Sequence, residues 1–283
     1  MRHLPAHAGR RVLTVADTRP LGRLEGALGA GVLGGVNLIP FIPAGFGGFA
    51  TTKAAVRGAA EAGASAIEIG IPFSDPIADG PVIQAAYHEA LTGGTTLVGV
   101  LDCARAIRAE LAVPMLAMVS YSIAFRIGPK EFCDQAKVAG FDGLLCPDLP
   151  PPEAAPFCAT ARAAGLEPVI LVAPTTPPAR RAEIGRLAGG FVYYLSVAGV
   201  TGERSELPEN LAPGVRDMKS RTSLPVCVGF GISRREQVVS LRGVADGAVV
   251  GTAYVKRIRE QMQGGPASVQ EAVARLTREL LGG

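Results

Sequence analysis

Residues 66–81 read Ala66-Ile-Glu-Ile-Gly-Ile-Pro-Phe-Ser-Asp-Pro-Ile-Ala-Asp-Gly-Pro81. The first part has the composition of a short strand. In a strand alternate side chains share a face, so Ala66, Glu68 and Gly70 point one way while Ile67 and Ile69 point the other. Two isoleucines suit a layer packed under helices, which leaves Glu68 on the opposite, inner face. Burial there raises a carboxyl pKa and equips it to exchange protons near neutral pH. Pro72, Asp75-Pro76 and Asp79-Gly80-Pro81 then forbid a tight turn and impose a long ordered loop. Two plainer readings also fit: Glu68 paired with a buried Arg or Lys, and Asp79 as N-cap of the helix that Pro81 begins.

Outward from this segment the same alternation repeats. Short β-rich apolar runs occur at Val36–Ile42, Ala66–Ile69, Pro114–Val119, Gly143–Cys146, Pro168–Val172, Phe191–Ser196, Pro225–Val228 and Gly247–Val250. Between them, helices are expected over 52–62, 82–90, 98–110, 129–139, 153–164, 179–187, 211–220, 234–241 and 268–281. Strands alternating with helices define parallel βα units. Eight such units in 283 residues predict an α/β fold, a single-domain (β/α)₈ TIM barrel. The expected division is an N-terminal extension with a covering helix over 1–35 and a catalytic barrel over 36–283. No low-complexity linker splits the chain. Chemistry is expected at the C-terminal ends of the strands, and the second βα loop lies there.

Composition narrows the function. The 48% hydrophobic and 19% charged fractions provide a large core and argue against disorder. A formal charge of +3, with no basic run interleaved with aromatics, argues against nucleic acid as a partner. No long uncharged apolar run predicts a membrane span. The five cysteines (103, 133, 146, 158 and 227) have no CxxC spacing or nearby histidine, so neither zinc nor disulfides are expected and a cytoplasmic location fits. Of three histidines, His3 and His7 fall in the leader and His88 on a helix, so the chemistry is not read as histidine-based.

Three glycine-bearing segments follow the late strands: Ala198-Gly-Val-Thr-Gly202, Gly229-Phe-Gly-Ile-Ser233 and Gly251-Thr252. Barrels often bind phosphate with the loops after strands seven and eight, where backbone N–H groups and a helix N-terminus face the anion. Glycine at a strand end also serves as plain turn chemistry. Neither a P-loop nor a strand-linked GxGxxG is present, so nucleotide binding has no support.

Taken together, these blocks resemble the tryptophan synthase alpha chain family over roughly residues 36–282. The resemblance is carried by Glu68 through Pro81, Pro147-Asp-Leu-Pro150, Ala173-Pro-Thr-Thr176, Phe191-Val-Tyr-Tyr, Ser196 with Gly199-Val-Thr-Gly202, and Gly229-Phe-Gly-Ile232. It implies a barrel lyase that splits indole-3-glycerol phosphate by retro-aldol cleavage into indole and glyceraldehyde 3-phosphate, without metal or cofactor. By matched position it implies Glu68 as acid/base, Asp79 as acceptor of the indole N–H, and Thr201 as the residue that closes the sixth loop and orients Asp79. It further implies phosphate contacts at Gly202, Gly231, Gly251 and Thr252, and an aromatic pocket at Phe41 and Tyr193. Phe230, in the last block, joins the substrate-binding residues. A tryptophan synthase beta chain is the implied protein partner.

Two segments depart from the family pattern. Gly45-Phe-Gly47 replaces Gly-Asp-Pro after the first strand, and Ser120-Tyr-Ser-Ile123 replaces a Tyr-Tyr-Asn-Pro type sequence after the third. These changes admit a stand-alone indole-forming lyase, or a catalytically weak barrel kept as a binding or regulatory subunit. A Schiff-base aldolase needs an inward lysine, and the strands contain none.

Overall fold

The computed structural model describes residues 21–29, 35–76, 79–196, 208–229 and 231–282. Within them run strands β1 (Asn37–Pro43), β2 (Ile67–Gly70), β3 (Met115–Met118), β4 (Gly143–Leu145), β5 (Glu167–Val172), β6 (Val192–Leu195), β7 (Val226–Gly229) and β8 (Gly247–Val250). Each pairs in parallel with the next, and β8 pairs with β1, closing the barrel. Every strand end falls within about one residue of its sequence expectation, inside the usual uncertainty of element boundaries.

The helices are α1 (Arg23–Gly29), α2 (Phe49–Glu61), α3 (Pro81–Thr92), α4 (Leu97–Glu110), α5 (Tyr121–Ile127), α6 (Pro129–Val138), α7 (Pro151–Ala163), α8 (Pro178–Leu187), α9 (Leu211–Lys219), α10 (Arg235–Ser240), α11 (Thr252–Gln261) and α12 (Gly265–Leu281). Proline opens α3, α6, α7, α8 and α12 in the first turn, where its missing N–H is not needed and its fixed φ suits a helix. Two helices were not expected from sequence. The short α5 starts at once after β3, with Ser120 as its cap, and α11 starts one residue past β8.

Side-chain parity sorts the core into two layers. Ile39, Ala66, Leu116, Leu145, Val169, Phe191, Tyr193, Cys227 and Val249 form one buried cluster inside the barrel, while Ile67 and Ile69 belong to the outer cluster under the helices. The alternation read from residues 66–70 therefore holds. Helix α1 adds Leu24 and Leu28 to the interior cluster. Its Leu24 and Glu25 N–H groups donate to the Glu167 carboxylate at 2.8 and 3.0 Å, and Asn37 Nδ2 donates to the Leu28 carbonyl at 2.8 Å. Arg23 Nε lies 2.9 Å from Asp142 Oδ1. Asn37 and Glu167 are the first residues of their strands and Asp142 immediately precedes β4, so α1 closes the barrel floor and the opposite end is the mouth. Among the described residues no helix is long and apolar enough to cross a membrane.

Candidate active site

Strand β2 holds Glu68 in register with Phe41 of β1 and Leu116 of β3. The side chain is 1% exposed, and Oε1 has no hydrogen-bond partner among the described residues. No described lysine or arginine forms an ion pair with it, so the salt-bridge reading of Glu68 finds no support. Burial, reinforced by the neighbouring Asp79, pushes its pKa up to about 8.

Asp79 ends the long loop after β2. The N-cap of α3 is Gly80 and no side chain caps that helix, so Asp79 is not the cap. Its backbone is pinned instead, with its N–H donating to the Pro76 carbonyl at 3.1 Å and its carbonyl accepting from Gln84 Nε2 at 2.7 Å. The carboxyl is left buried, and desolvation raises its pKa to about 7.

The aromatic expectations fall beside this pair. Tyr193 of β6 is fully buried in the interior layer and feels both carboxylates, which, after burial itself, hold its phenol in the protonated form. Its hydroxyl presses on Gly229 of β7, where an added Cβ would lie 2.2 Å away. Phe41 meets Tyr87 of α3 edge to face, with ring centroids 6.3 Å apart. Phe41 also lies against Gly251, where an added Cβ would stand 3.5 Å from the Phe41 ring and from Ile83. Gly251 is the N-cap of α11 and Thr252 its first residue. That helix start, which no described side chain caps, therefore stands next to the same aromatic wall as the carboxylates. Gly231 takes a left-handed φ of 80°, and its carbonyl accepts from Gln237 Nε2 at 3.1 Å. Thr201, Gly202 and Phe230 lie outside the described residues.

A cleft opens at the mouth, lined among others by Ile71, Asp79, Tyr87, Met118, Ser120 and Asp148. Tyr87, Ser120 and Asp148 were not read as site residues from sequence. Ser120 Oγ donates to Asp148 at 2.6 Å and the Tyr121 N–H donates to the same carboxylate at 2.7 Å, tying the loop after β3 to the loop after β4. In the other divergent segment Phe46 is buried, with the Arg259 guanidinium 4.8 Å from its ring centroid. Among the described residues no three His, Cys, Asp or Glu side chains gather as a metal would need.

A closed parallel barrel whose mouth presents two proton-holding carboxyls beside an apolar cleft has the form of a (β/α)₈-barrel enzyme working by acid–base chemistry. The chain belongs to the tryptophan synthase alpha chain family: the profile described as "Tryptophan synthase alpha chain" matches residues 33–280. It is 42% identical to the tryptophan synthase alpha chain of Rhodopirellula baltica over 245 residues, which cover 86% of this chain and 88% of that one. To the Prochlorococcus marinus alpha chain it is 46% identical over 226 residues, 80% of this chain and 82% of that one. A mutant tryptophan synthase alpha-subunit from the hyperthermophile Pyrococcus furiosus superposes with a TM-score of 0.80 at 38% identity, covering 88% of this chain and 98% of that one. A chain of the tryptophan synthase complex from the same organism matches with a TM-score of 0.79, 38% identity and the same coverage.

Proposed function

We propose that this chain cleaves indole-3-glycerol phosphate to indole and glyceraldehyde 3-phosphate, with Glu68 and Asp79 carrying the chemistry. The observation that supports these roles is the burial of both carboxyls at the barrel mouth, Glu68 being the deeper of the two and raised further by the Asp79 charge. Near neutral pH Asp79 is the first to ionise and Glu68 the last to lose its proton. An Asp79 carboxylate accepts the indole N–H and stabilises positive charge on the ring. Protonated Glu68 gives its proton to the ring carbon that bears the glycerol chain, so that the ring becomes an iminium ion. The Glu68 carboxylate then takes the proton of the adjacent hydroxyl. The C–O pair forms the aldehyde, the C–C bond breaks, and its electrons return to the ring nitrogen. Glu68 ends protonated, as it began.

Thr201 is assigned to closing the sixth loop and orienting Asp79, and Phe41, Tyr193 and Phe230 to the aromatic half of the substrate. Gly202, Gly231, Gly251 and Thr252 are assigned to its phosphate. The free N–H groups at the start of α11 favour an anion at Gly251 and Thr252. The catalytic domain is taken as residues 36–283, with 1–35 an extension whose helix α1 closes the floor. A cytoplasmic location suits five free, buried cysteines. Since the relatives are named as alpha chains, and one was solved within a tryptophan synthase complex, a beta chain is the proposed partner. That favours the subunit reading over a stand-alone lyase or a binding barrel. Indole release by the purified chain from indole-3-glycerol phosphate tests the activity. No release, alone or with a beta chain, would overturn it.

A further inference from the structure

Two buried side-chain polar atoms of the described residues lack a hydrogen-bond partner, Glu68 Oε1 and the Tyr87 hydroxyl. Leaving a buried hydroxyl unsatisfied is costly, so native proteins rarely do so without reason. Tyr87 is 2% exposed, lines the same cleft as Asp79, and packs edge-on against Phe41. Its oxygen is located by Gly70: an added Cβ there would stand 2.3 Å from the Tyr87 hydroxyl. Gly70 is two residues past Glu68 on the same inward face, a rise of about 6.6 Å toward the mouth. The phenol thus stands one strand step above the carboxyl, on the path from the cleft. A ligand hydroxyl seated between them can accept from the phenol while giving its proton to the carboxylate.

Building on the lyase reading above, we propose that Tyr87 is a substrate-contacting residue whose hydroxyl donates a hydrogen bond to the side-chain hydroxyl oxygen that Glu68 deprotonates. The balance is simple. That oxygen gives its proton to Glu68 and keeps its lone pairs, and the Tyr87 O–H points at one of them before and after the C–O double bond forms. Tyr87 itself loses no proton, and burial together with the Asp79 and Glu68 charges holds its pKa well above the ordinary phenol value. Glycine at 70 is then required because any side chain would occupy the place of the phenol oxygen.

Tyr87→Phe keeps the ring and deletes only the oxygen. Three measurements on the full chain are compared with the parent: the thermal midpoint, kcat/KM for indole-3-glycerol phosphate, and affinity for an analogue with both glycerol hydroxyls replaced by hydrogen. The midpoint is expected to stay level or rise, because an unsatisfied polar atom has been removed from the free protein. The kcat/KM is expected to fall about tenfold, as for one lost hydrogen bond to substrate. Analogue affinity should stay within about twofold, since its missing hydroxyls remove the proposed partner. Unchanged kcat/KM would overturn the assignment, as would an equal loss of analogue binding, which would mark Tyr87 as a packing residue. Absence of indole release by the parent protein would instead sink the lyase reading, and this assignment with it.

Discussion

Glu68 and Asp79 are both buried carboxyls, yet they end with different proton affinities. Glu68 lies deeper and feels the Asp79 charge, whereas Asp79 is raised by burial. Because the proposed cycle starts with Asp79 ionised and Glu68 protonated, kcat should rise as pH passes about 7 and fall beyond about 8. A flat profile across this range would contradict the division of labour. Glu68→Gln should remove detectable turnover while leaving substrate binding largely intact, and near-normal kcat would overturn the mechanism. Asp79→Asn should cost about 10²-fold in kcat, a typical acid–base contribution. The same residue pair sets a stability slope through Glu68. With the folded pKa raised from 4.5 to about 8, the native state holds a proton that the unfolded chain has lost, so Glu68 makes stability fall as pH rises between those values. Urea midpoints at pH 5 and pH 9 should therefore differ less in Glu68→Gln than in the parent. Glu68 was legible because strand parity needs no tertiary knowledge. Tyr87 was not, since the direction a helix faces depends on what it packs against, here Phe41 and the inner edge of β2.

At the level of elements, the β2–α3 unit concentrates the proposed site. Its strand carries Glu68, its loop carries Asp79, and its helix returns Tyr87 over Gly70. Gly70→Ala would force a methyl to within 2.3 Å of the Tyr87 hydroxyl and 2.6 Å of the Phe41 ring. Overpacking of this kind should cost about 1–3 kcal/mol in urea unfolding and lower kcat/KM. Wild-type behaviour in both would show that the site has slack the packing does not suggest. All eight strands could be read from sequence because parallel barrel strands are short apolar runs bounded by Gly and Pro. Helices α5 and α11 could not, since each begins within three residues of a strand end and leaves no loop to announce it. Ser120 is the clearest case: as a departure from the family pattern it looked like a changed loop, whereas it caps α5 and binds Asp148.

At the scale of the whole molecule, the barrel has a mouth, a packed interior and a floor made by a helix that precedes β1. Leu24 lies ahead of residue 33, where the family profile begins to match, yet it is fully buried in the interior cluster. Leu24→Ala should destabilise the fold by about 2–5 kcal/mol, as truncations of buried leucine do, with indole release at low temperature little changed. A loss below about 0.5 kcal/mol, within the range of surface substitutions, would make α1 an ornament and not part of the core. The wall of helices closes just as tightly, since Gly58 of α2 leaves an added Cβ only 2.3 Å from the Gln270 carbonyl of α12. The distribution of sulfur follows from this layering. Cys227 stands inside the barrel while Cys103, Cys133, Cys146 and Cys158 are buried outside it, and burial raises all five thiols above their ordinary pKa. A thiol-modifying reagent therefore finds no reactive sulfur until the chain opens. Labelling at Cys227 becomes a stopwatch for whole-barrel opening, and labelling at the other four reports the peeling of individual helices.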